Sequence, residues 1–490
     1  MQIGTEPIPY GSRIRQLAEE RPDETAIVFV SEEGADRLVP WAELDARSTQ
    51  IARALAARGL GEGDRLGIKL HNGPEHIFTT FAGWKLGAVV VPVRWDLPAW
   101  EVERVRAVLD PKLVVEPDDT ELLEGSLAAS TDPLPVVTPP HASGILSSGS
   151  TGTPKVILRK SPGVYNPEGS PNALLEAYGP LSDPQLVLVP APLYHNNGFM
   201  HTANLLAGDR LLLLQRFNAA RLVDAIERHR VTGFVATTIM LQRIAREPGA
   251  RERDLSSVEW VMHGAAPLPE WLARWWIDLV GPTHFFVCYG SSEGAGATFA
   301  RGDEYLDHPG TVGRGAIGTE LRILGDDGAE LPTGEVGGIY MRLPQGVMST
   351  YVGDEAPLPV TGDGFAIVGD LGFVDADGYL YLADRRVDMI VSGGANVFPA
   401  EVESALSEHP GVSDVVVIGL ADEEWGRRVH AIVQPMDPAA PVPADELIAW
   451  CRARLSPYKV PKSIELVGAL PRSEAGKLNR AVLVAERDAG

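Results

Sequence analysis

Apolar residues in the first two-thirds of the chain follow two alternating spacings. Helical spacing appears at Ile14 and Leu17 and again at Leu44, Ile51 and Leu55, where glycine stop signals end the second run. Short runs that are mostly apolar separate the helical segments, a pattern typical of strands buried on both faces of a parallel sheet. The alternation predicts a doubly wound α/β domain. The predicted strands are Ala26–Val30, Arg65–Leu70, Ala88–Val93, Lys112–Val115, Leu186–Pro190, Arg210–Leu214, Gly233–Thr237, Glu259–His263 and Phe285–Tyr289.

The pattern changes twice in the last third of the chain. After about residue 310, short alternating runs separated by the polar segments GDDGAE, DGF and DADGY predict a small antiparallel β subdomain. From about Asp384 onward, helical and strand patterns alternate over about 100 residues, a normal size for a separate α+β domain. Its predicted elements are the helices Ala400–His409 and Ala444–Leu455 and the strands Asp414–Leu420, Val429–Gln434 and Ser463–Val467.

Composition narrows the classes of function. The 490 residues are 44% apolar and 22% charged, which is ordinary for a folded protein and excludes disorder as the main state. A net charge of −23 argues against nucleic acid or an anionic membrane surface as a partner. We expect no membrane span and no signal peptide, because the sequence lacks apolar runs of the required length. Cys288 and Cys451 form no CxxC motif, so we expect a reducing, cytoplasmic compartment and no disulfide or cysteine-based metal site.

The segment SSGSTGTPK, Ser147 to Lys155, is the strongest local signal. Its glycines allow backbone N–H groups to turn toward an anion and its hydroxyls add donors, which suits a polyphosphate. The segment differs from a Walker A loop because a proline precedes the lysine and no Gly-Lys-Ser/Thr follows. A flexible linker is the alternative, but strand-like apolar pairs at residues 145–146 and 156–157 flank the segment.

Two other short motifs suggest different chemistries. Residues 290–294, GSSEG, follow a predicted strand and match the G-x-S-x-G nucleophile elbow of serine hydrolases, but the following GAGATFARG is a poor helix. Residues 313–318, GRGAIG, match a dinucleotide-binding pattern, but the strand-like Glu320–Leu324 follows in place of a helix. A serine hydrolase stays as a remote alternative, and the dinucleotide interpretation fails.

Taken together, these and further motifs resemble the adenylate-forming superfamily of acyl-CoA synthetases, luciferases and peptide-synthetase adenylation domains. SSGSTGTPK is similar to its phosphate loop, and PLYHNNG, residues 192–198, to its substrate-gating segment. GAAP (264–267) and YGSSE (289–293) are similar to its adenine and magnesium motifs. VGDLG (368–372) is similar to the segment with its ribose aspartate, and DRRVDMIVSGGANVFPAEVE (384–403) to its hinge and following motif. The motifs occur in family order across nearly the whole chain.

The resemblance implies two domains and a two-step reaction. An AMP-binding domain, residues 1–383, would join through a hinge at residues 384–388 to a small mobile C-terminal domain, residues 389–490. The carboxylate of an acid would attack the α-phosphate of ATP and give an acyl-adenylate, and coenzyme A would then take the acyl group and release AMP. The family's usual hinge residue is Lys or Asp, whereas this sequence has Val387 with Asp388 beside it.

The resemblance also implies roles for individual residues. Lys477 would be the catalytic lysine, Glu293 would hold Mg²⁺, and Arg385 would contact ribose or phosphate. The ATP and AMP site would comprise Ser147, Ser148, Gly149, Ser150, Thr151, Gly152, Thr153, Lys155, Gly264, Ala265, Ala266, Tyr289, Ser292, Asp370 and Arg385. The acyl pocket would comprise His195, Asn196, Met200, Met240, Gly264 and Gly290, and the coenzyme A site Gly393, Gly394, Trp425 and Tyr458.

Four longer segments are most similar to bacterial bile-acid–CoA ligases: IDLVGP, RGDEYLDHPGTVGR, GDLGFVDADGYLYLADRRVDMIVSGGANVF and SPYKVPK. This resemblance implies a bulky, polycyclic carboxylic acid as substrate, either steroidal or a terpenoid of secondary metabolism. Two alternatives stay open. One is an enzyme that loads a carrier protein, and the other is a non-enzymatic acyl-binding relative, against which the intact Lys477, Glu293 and Asp370 argue. The sequence leaves the oligomeric state open, and a homodimer is one expectation.

Overall fold

The fold is described from a computed structural model of the chain, which describes residues 6–97, 99–147, 155–352, 358–385, 388–474 and 476–488. Within these ranges, no helix is both long enough and apolar enough to cross a membrane. Cys288 and Cys451 are both free cysteines, as expected from their spacing.

A nine-stranded sheet forms the centre of the N-terminal domain. Its six inner strands are parallel, and antiparallel strands close both edges. The inner strands are almost fully buried because helices cover both faces, which confirms the parallel sheet predicted from the apolar runs. In spatial order the strands are Arg314–Ala316, Ala297–Arg301, Phe285–Gly290, Trp260–His263, Gly233–Ala236, Leu186–Val189, Arg210–Leu214, Thr25–Val30 and Arg37–Pro40.

A second, smaller sheet lies beside the first and supports the glycine-rich segment. Its parallel part consists of Val89–Pro92, Arg65–Ile68 and Leu113–Val115. A bridge from Val90 to Ser143 continues it into the antiparallel strands Gly144–Ser147, Lys155–Arg159 and Ser349–Tyr351. Ser147 pairs with Lys155, so the two ends of the glycine-rich segment meet at the base of a hairpin. A two-stranded pair, Ile8–Pro9 with Val164–Tyr165, completes the domain's β-structure within the described residues.

Helices pack on both faces of the sheets, and two hydrophobic clusters fill the space between. The predicted apolar face at Ile14, Leu17, Leu44, Ile51 and Leu55 is buried, as expected from its helical spacing. The helices of this domain are Tyr10–Glu20, Trp41–Ala57, Pro74–Lys85, Ala99–Leu109, Thr120–Leu123, Ala173–Glu176, Asn196–Phe199, Thr202–Ala207, Ala219–His229, Thr238–Ala245, Glu270–Val280 and Gly302–Asp307, with 3₁₀ turns at Gly125–Ala128 and Ala250–Glu252.

The antiparallel subdomain predicted after residue 310 is a four-stranded sheet. Its strands pair in the order Glu320–Leu324, Gly337–Arg342, Ala366–Val374 and Leu380–Arg385. The last strand runs into the predicted hinge, because residues 384 and 385 still belong to it. Val387 lies outside the described residues, whereas Asp388 accepts a hydrogen bond from Arg480 Nη1 at 3.1 Å.

The C-terminal domain has its own core and the predicted α+β composition. A short hairpin, Ile390–Ser392 with Ala395–Val397, precedes the helix Pro399–Ser407. The sheet consists of Val412–Asp422, Gly426–Pro435 and Ser463–Leu466, and the helices Ala444–Arg452 and Arg480–Asp488 complete the fold. The first two strands are longer than predicted because their pairing continues into polar residues toward the turn between them, where the apolar pattern has stopped.

Candidate active site

Chain segments from four parts of the fold meet at the carboxyl end of the central sheet. Tyr289 ends the strand Phe285–Gly290, and its hydroxyl donates to Asp370 Oδ2 at 2.6 Å. Asp370 lies on the antiparallel subdomain, so this bond joins two parts of the N-terminal domain. Arg385 is the backbone partner of Asp370, while its side chain lies outside the described residues. The structure thus brings together the tyrosine and the aspartate that the motifs predicted for the nucleoside.

Glu293 lies in the turn that follows Tyr289. One of its carboxylate oxygens accepts a hydrogen bond from the Tyr351 hydroxyl at 3.0 Å. Lys155 Nζ lies 5.1 Å from the centre of the same tyrosine ring, within the range of a cation–π contact. Tyr351 therefore links the predicted magnesium ligand to the lysine at the end of the glycine-rich segment. The sequence analysis missed Tyr351, which lies far from every motif.

Arg159 is a second site residue that the sequence analysis missed. Its guanidinium donates to Asn196 Oδ1 at 3.2 Å and lies 3.5 Å from Ser349 Oγ. Burial lowers the pKa of Arg159, and the nearby Glu293 carboxylate counteracts that effect. The sequence could have indicated Arg159, because positions 155, 157 and 159 alternate along the strand after the glycine-rich segment and therefore share the face that carries Lys155.

His195 begins the short helix Asn196–Phe199, and its Nδ1 accepts a hydrogen bond from the Asn197 amide at 3.3 Å. The neutral ring consequently carries its proton on Nε2, where it can donate. Burial, and to a smaller extent the Lys477 cation, lowers the pKa of His195 to about 3. Lys477 of the C-terminal domain is therefore electrostatically coupled to the gating segment of the N-terminal domain, although the two residues are 282 positions apart.

The loop that carries Lys477 is seated on the N-terminal domain. Ser473 N donates to Lys477 O at 2.8 Å and Lys477 N to Ser473 Oγ at 3.2 Å, which makes the loop a closed turn. Gly476 has a positive φ of 76°, and a Cβ there would lie 2.5 Å from Ile239 Cγ2. Glycine is required at this position because the loop backbone packs directly on the start of the helix Thr238–Ala245.

The predicted adenine segment follows the strand Trp260–His263. Gly264 donates through its amide to Ala236 O at 3.4 Å, and Ala265 and Ala266 are exposed. Ala265 has a left-handed φ of 75°, which an alanine adopts only at a cost in energy. His263 supports the segment from below: it is buried, burial lowers its pKa to about 3, and its Nε2 lies 2.9 Å from Thr238 Oγ1.

The structure contradicts the nucleophile-elbow alternative. The residues after GSSEG form the strand Ala297–Arg301, whereas an elbow opens into a helix. Ser291 Oγ is buried, and no histidine or other hydrogen-bond partner for it is found among the described residues. The second weak motif, GRGAIG, lies at the edge strand Arg314–Ala316 and is likewise followed by a strand. Both motifs are turn-rich connections between strands.

The predicted acyl residues fall into different environments. Asn196 contacts Arg159, and Gly264 is the first residue of the predicted adenine segment. Met200 is 40% exposed, whereas Met240 is buried in the hydrophobic cluster beneath the sheet. A Cβ on Gly290 would lie 3.0 Å from Gly296 O, so a larger residue there would disturb the strand pair as well as any pocket. Gly290 is therefore a poor place to test pocket volume by substitution.

The predicted coenzyme A residues lie on the C-terminal domain. A Cβ on Gly393 would lie 2.8 Å from the Trp425 ring, so the indole already occupies the space that we expected for a pantetheine arm at this glycine. Among the described residues, apart from its two chain neighbours, none has a heavy atom within 4 Å of the corresponding position on Gly394. Lys462 Nζ lies 4.4 Å from the Trp425 ring centre, and Tyr458 is exposed with Lys459 beside it.

Most of the predicted phosphate loop lies outside the described residues. Ser147 is described in its backbone alone, and the rest of the predicted phosphate loop up to residue 154 lies outside the described residues, namely Ser148, Gly149, Ser150, Thr151, Gly152 and Thr153. Ser292 is described and half-buried beside Glu293.

The donor set fits Mg²⁺ and a nucleotide polyphosphate. A half-buried carboxylate on Glu293 is the kind of oxygen ligand that Mg²⁺ prefers. Ser291 Oγ and Thr237 Oγ1 are buried without a hydrogen-bond partner among the described residues, and both follow inner strands of the central sheet at this edge. Lys155 and Arg159 supply positive charge on one strand face, which suits phosphate anions.

Comparison with known proteins agrees with this geometry. The family model described as "AMP-binding enzyme" matches residues 14–352, and the model "AMP-binding enzyme C-terminal domain" matches residues 401–477. The chain is 35% identical to a feruloyl-CoA synthase from Amycolatopsis sp over 89% of this chain and 92% of that protein. It is 31% identical to indoleacetate–CoA ligase from Aromatoleum aromaticum over 94% of each chain.

Solved structures give the same result for the fold. The o-succinylbenzoate CoA synthetase from Bacillus subtilis, in complex with its acyl-adenylate intermediate, has a TM-score of 0.82 and 27% identity, with 98% of each chain covered. The same enzyme with ATP and a magnesium ion has a TM-score of 0.81, with 97% of this chain and 99% of that chain covered.

The chain belongs to the AMP-binding enzyme family, since the family model covers more than half of it. Within that family it is an AMP-forming acid–CoA ligase, an acyl-CoA synthetase of the adenylate-forming superfamily. ATP, Mg²⁺ and coenzyme A are the cofactor and co-substrates of this activity.

Proposed function

We propose that this ligase activates a bulky, ring-containing carboxylic acid, and that Lys477 and the site around Tyr289, Glu293 and Asp370 perform the first half-reaction. The observation that carries the proposal is the packing of the Lys477 loop on the N-terminal domain, where a Cβ on Gly476 would lie 2.5 Å from Ile239 Cγ2. A mobile lysine on one domain and a neutral histidine on the other suit a first step that joins two anions, the carboxylate and ATP. The domains would then separate before the second step.

In the first half-reaction, a carboxylate oxygen bonds to the α-phosphorus of ATP and the bond to the β-phosphate oxygen breaks, which releases pyrophosphate. Lys477 stabilises the charge that develops between carboxylate and phosphate oxygens. Tyr289 stacks on the adenine, Asp370 accepts from the ribose hydroxyls, and Ser292 donates to the α-phosphate. Lys155 and the glycine-rich segment hold the leaving phosphates. Mg²⁺, when bound at Glu293, neutralises the pyrophosphate charge.

His195 would line the carboxylate end of the acyl pocket. Because its pKa is about 3, the ring is neutral at physiological pH and Nε2–H can donate to the acid without a proton transfer. Arg159, through Asn196, would keep the gating segment aligned with Glu293. In the second half-reaction the thiol of coenzyme A attacks the acyl carbonyl, and AMP leaves with the bonding electrons.

The substrate class rests on two kinds of support. The relatives named above are a feruloyl-CoA synthase and an indoleacetate–CoA ligase, whose named acids contain rings. The sequence segments similar to bile-acid–CoA ligases favour a polycyclic acid, steroidal or terpenoid. A pyrophosphate-release assay with cholate, a diterpenoid acid, ferulate, indoleacetate, palmitate and acetate tests this. We expect the ring-containing acids to release pyrophosphate faster than palmitate and acetate, and the polycyclic acids to react fastest of all. Preference for palmitate or acetate would contradict the substrate class.

Replacement of Lys477 tests whether this residue acts in the first half-reaction and not in the second. We expect Lys477→Ala to slow ATP–pyrophosphate exchange by about 10²–10³-fold, because an oriented transition-state contact is lost. Thioester formation from pre-made acyl-adenylate and coenzyme A should keep most of its rate, since that step does not need this cation. Lys112→Ala, which removes an exposed lysine from the small sheet, is the matched control. Equal losses in both half-reactions would refute the role of Lys477.

Two further measurements separate the alternatives. Mass spectrometry of the protein during turnover should detect no acyl group on Ser291 or Ser292, because the intermediate is an adenylate; an acyl-serine would restore the hydrolase. Acyl transfer to free coenzyme A should exceed transfer to an added carrier protein, and the reverse ranking would favour a carrier-loading enzyme.

A further inference from the structure

A contact between the two domains lies three residues before Lys477. Glu474 reaches from the Lys477 loop to the N-terminal domain, where its Oε2 accepts a hydrogen bond from Trp95 Nε1 at 3.1 Å. Its Oε1 lies 3.8 Å from Arg216 Nε. Trp95 and Arg216 belong to different segments, one after the strand Val89–Pro92 and one after the strand Arg210–Leu214. A single carboxylate thus joins the loop to two segments of the other domain.

The receiving residues are held in place on the N-terminal domain. The Trp95 ring contacts His71 in a tilted arrangement with ring centres 4.2 Å apart, and Arg216 lies 5.6 Å from the centre of the Trp95 ring. The carboxylate also acts on the gating segment, because burial and then the Glu474 charge raise the pKa of Tyr194, the neighbour of His195. Glu474 therefore contacts side chains that other residues of the N-terminal domain already hold in place next to the site.

The other end of the loop is fixed to the C-terminal domain. The Arg472 guanidinium binds Asp414 through two hydrogen bonds of 2.6 and 2.9 Å and donates to Gly476 O at 3.0 Å. Because Ser473 also bonds to Lys477, the loop residues Arg472, Ser473, Gly476 and Lys477 are tied to one another and to the C-terminal domain. The position of Glu474 therefore determines the position of Lys477.

We infer that Glu474 is a positioning residue for the adenylation step: with Trp95 and Arg216 it forms a latch that holds the Lys477 loop in the site and must open before the thioester step. The inference rests on the proposed role of Lys477. Glu474 and Arg216 are 34% and 50% exposed in their side chains, so the contact is accessible to water and weak enough to open in each cycle.

The test is a double-mutant cycle on the full-length enzyme, with the acid that reacts fastest in the panel above. Glu474→Ala removes the carboxylate, and Trp95→Phe removes the N–H donor while keeping a ring. We expect each change to slow ATP–pyrophosphate exchange by about 3- to 10-fold, because a hydrogen bond to a charged group is lost. The double variant should be no slower than the worse single variant, because both changes break one contact.

The rate of the thioester half-reaction distinguishes a positioning role of Glu474 from a merely structural one, because loss of a structural residue would slow both half-reactions. With pre-made acyl-adenylate and coenzyme A, Glu474→Ala should react at the wild-type rate or faster, since the latch no longer has to open. The matched control is Glu486→Gln, which changes an exposed carboxylate near Arg487 on the same domain and should alter neither half-reaction. A circular dichroism melt checks that each variant is folded.

The outcomes separate this inference from the function on which it rests. Equal slowing of both half-reactions by Glu474→Ala, or additive effects with Trp95→Phe, would refute the latch. If Lys477→Ala slows adenylation alone and Glu474→Ala slows both half-reactions equally or neither, the latch is refuted while the role of Lys477 stands. If Lys477→Ala fails to divide them, the role of Lys477 is wrong and the latch falls with it.

Discussion

At the scale of single residues, the site consists of charged groups whose partners come from distant segments. Glu293 accepts from Tyr351 and lies near Arg159, so its carboxylate is held between a hydroxyl and a cation. A neighbouring guanidinium opposes the binding of a second cation at the carboxylate. A metal ion held by Glu293 would therefore need phosphate oxygens as further ligands, because those anions would offset the Arg159 charge.

The metal role of Glu293 is testable by magnesium titration. We expect Glu293→Gln to raise the Mg²⁺ concentration for half-maximal pyrophosphate release by at least about tenfold, since a neutral amide is a weaker ligand. Tyr351→Phe is the matched variant: it deletes the hydroxyl at 3.0 Å but keeps the carboxylate, so its shift should be much smaller. An unchanged magnesium requirement in Glu293→Gln would move the metal site elsewhere.

At the scale of elements, the hairpin that opens the C-terminal domain owes its shape to two consecutive glycines. Gly393 and Gly394 have φ values of 57° and 81°, in the left-handed region. Gly393 N also donates to Trp425 O at 2.9 Å, and the Trp425 ring covers Gly393. The turn is thus fastened to the connection between the two long strands of the domain.

The two glycines form a matched pair for mutagenesis. Each replacement by alanine should cost about 1–2 kcal/mol for the positive φ. Gly393→Ala should cost a further 1–3 kcal/mol, roughly, because its Cβ would lie 2.8 Å from the Trp425 ring, whereas the position on Gly394 is open. Chemical unfolding of the full chain, followed by tryptophan fluorescence, measures the difference. Equal losses for the two variants would contradict the packing of Trp425 on Gly393.

At the scale of the whole molecule, buried neutral histidines make stability depend on pH. Burial lowers the pKa of His76 to about 3 and of His201 to about 4, as it does for His195 and His263. Both ring nitrogens of His76 are buried without a partner among the described residues. Below about pH 6.5 these rings take up protons in the unfolded chain but stay neutral in the folded one. Stability is therefore present above that pH and is lost as the pH falls toward 3–4.

We expect the free energy of unfolding to fall between pH 7.5 and pH 5 by roughly 2 kcal/mol for each such histidine. His76→Leu should make the fall in the free energy of unfolding smaller by the contribution of one histidine. The substitution deletes the group that titrates in the unfolded chain and keeps an apolar side chain in the core. His284→Leu, at an exposed position, serves as control. Urea unfolding at both pH values measures the effect. A fall in His76→Leu as large as in the wild type would show that His76 does not contribute.

Local patterning by itself determined most of the elements and the identity of several site residues. The apolar runs predicted every inner strand of the central sheet because a strand covered on both faces must be apolar at nearly every position. Tyr289, Glu293 and Asp370 were predicted as site residues in another way, from the resemblance of the short segments around them to family motifs.

The contacts between segments were decided by the tertiary structure alone. Tyr351 reaches Glu293, Arg159 reaches Asn196, and Glu474 reaches Trp95 across 379 positions of the chain. No local pattern encodes such pairs, because each depends on the order in which strands align in a sheet and on how one domain docks on another. Burial is decided in the same way: His195 and His263 are buried only once the sheets and the surrounding loops are packed together, and that burial lowers both pKa values, which keeps both rings neutral.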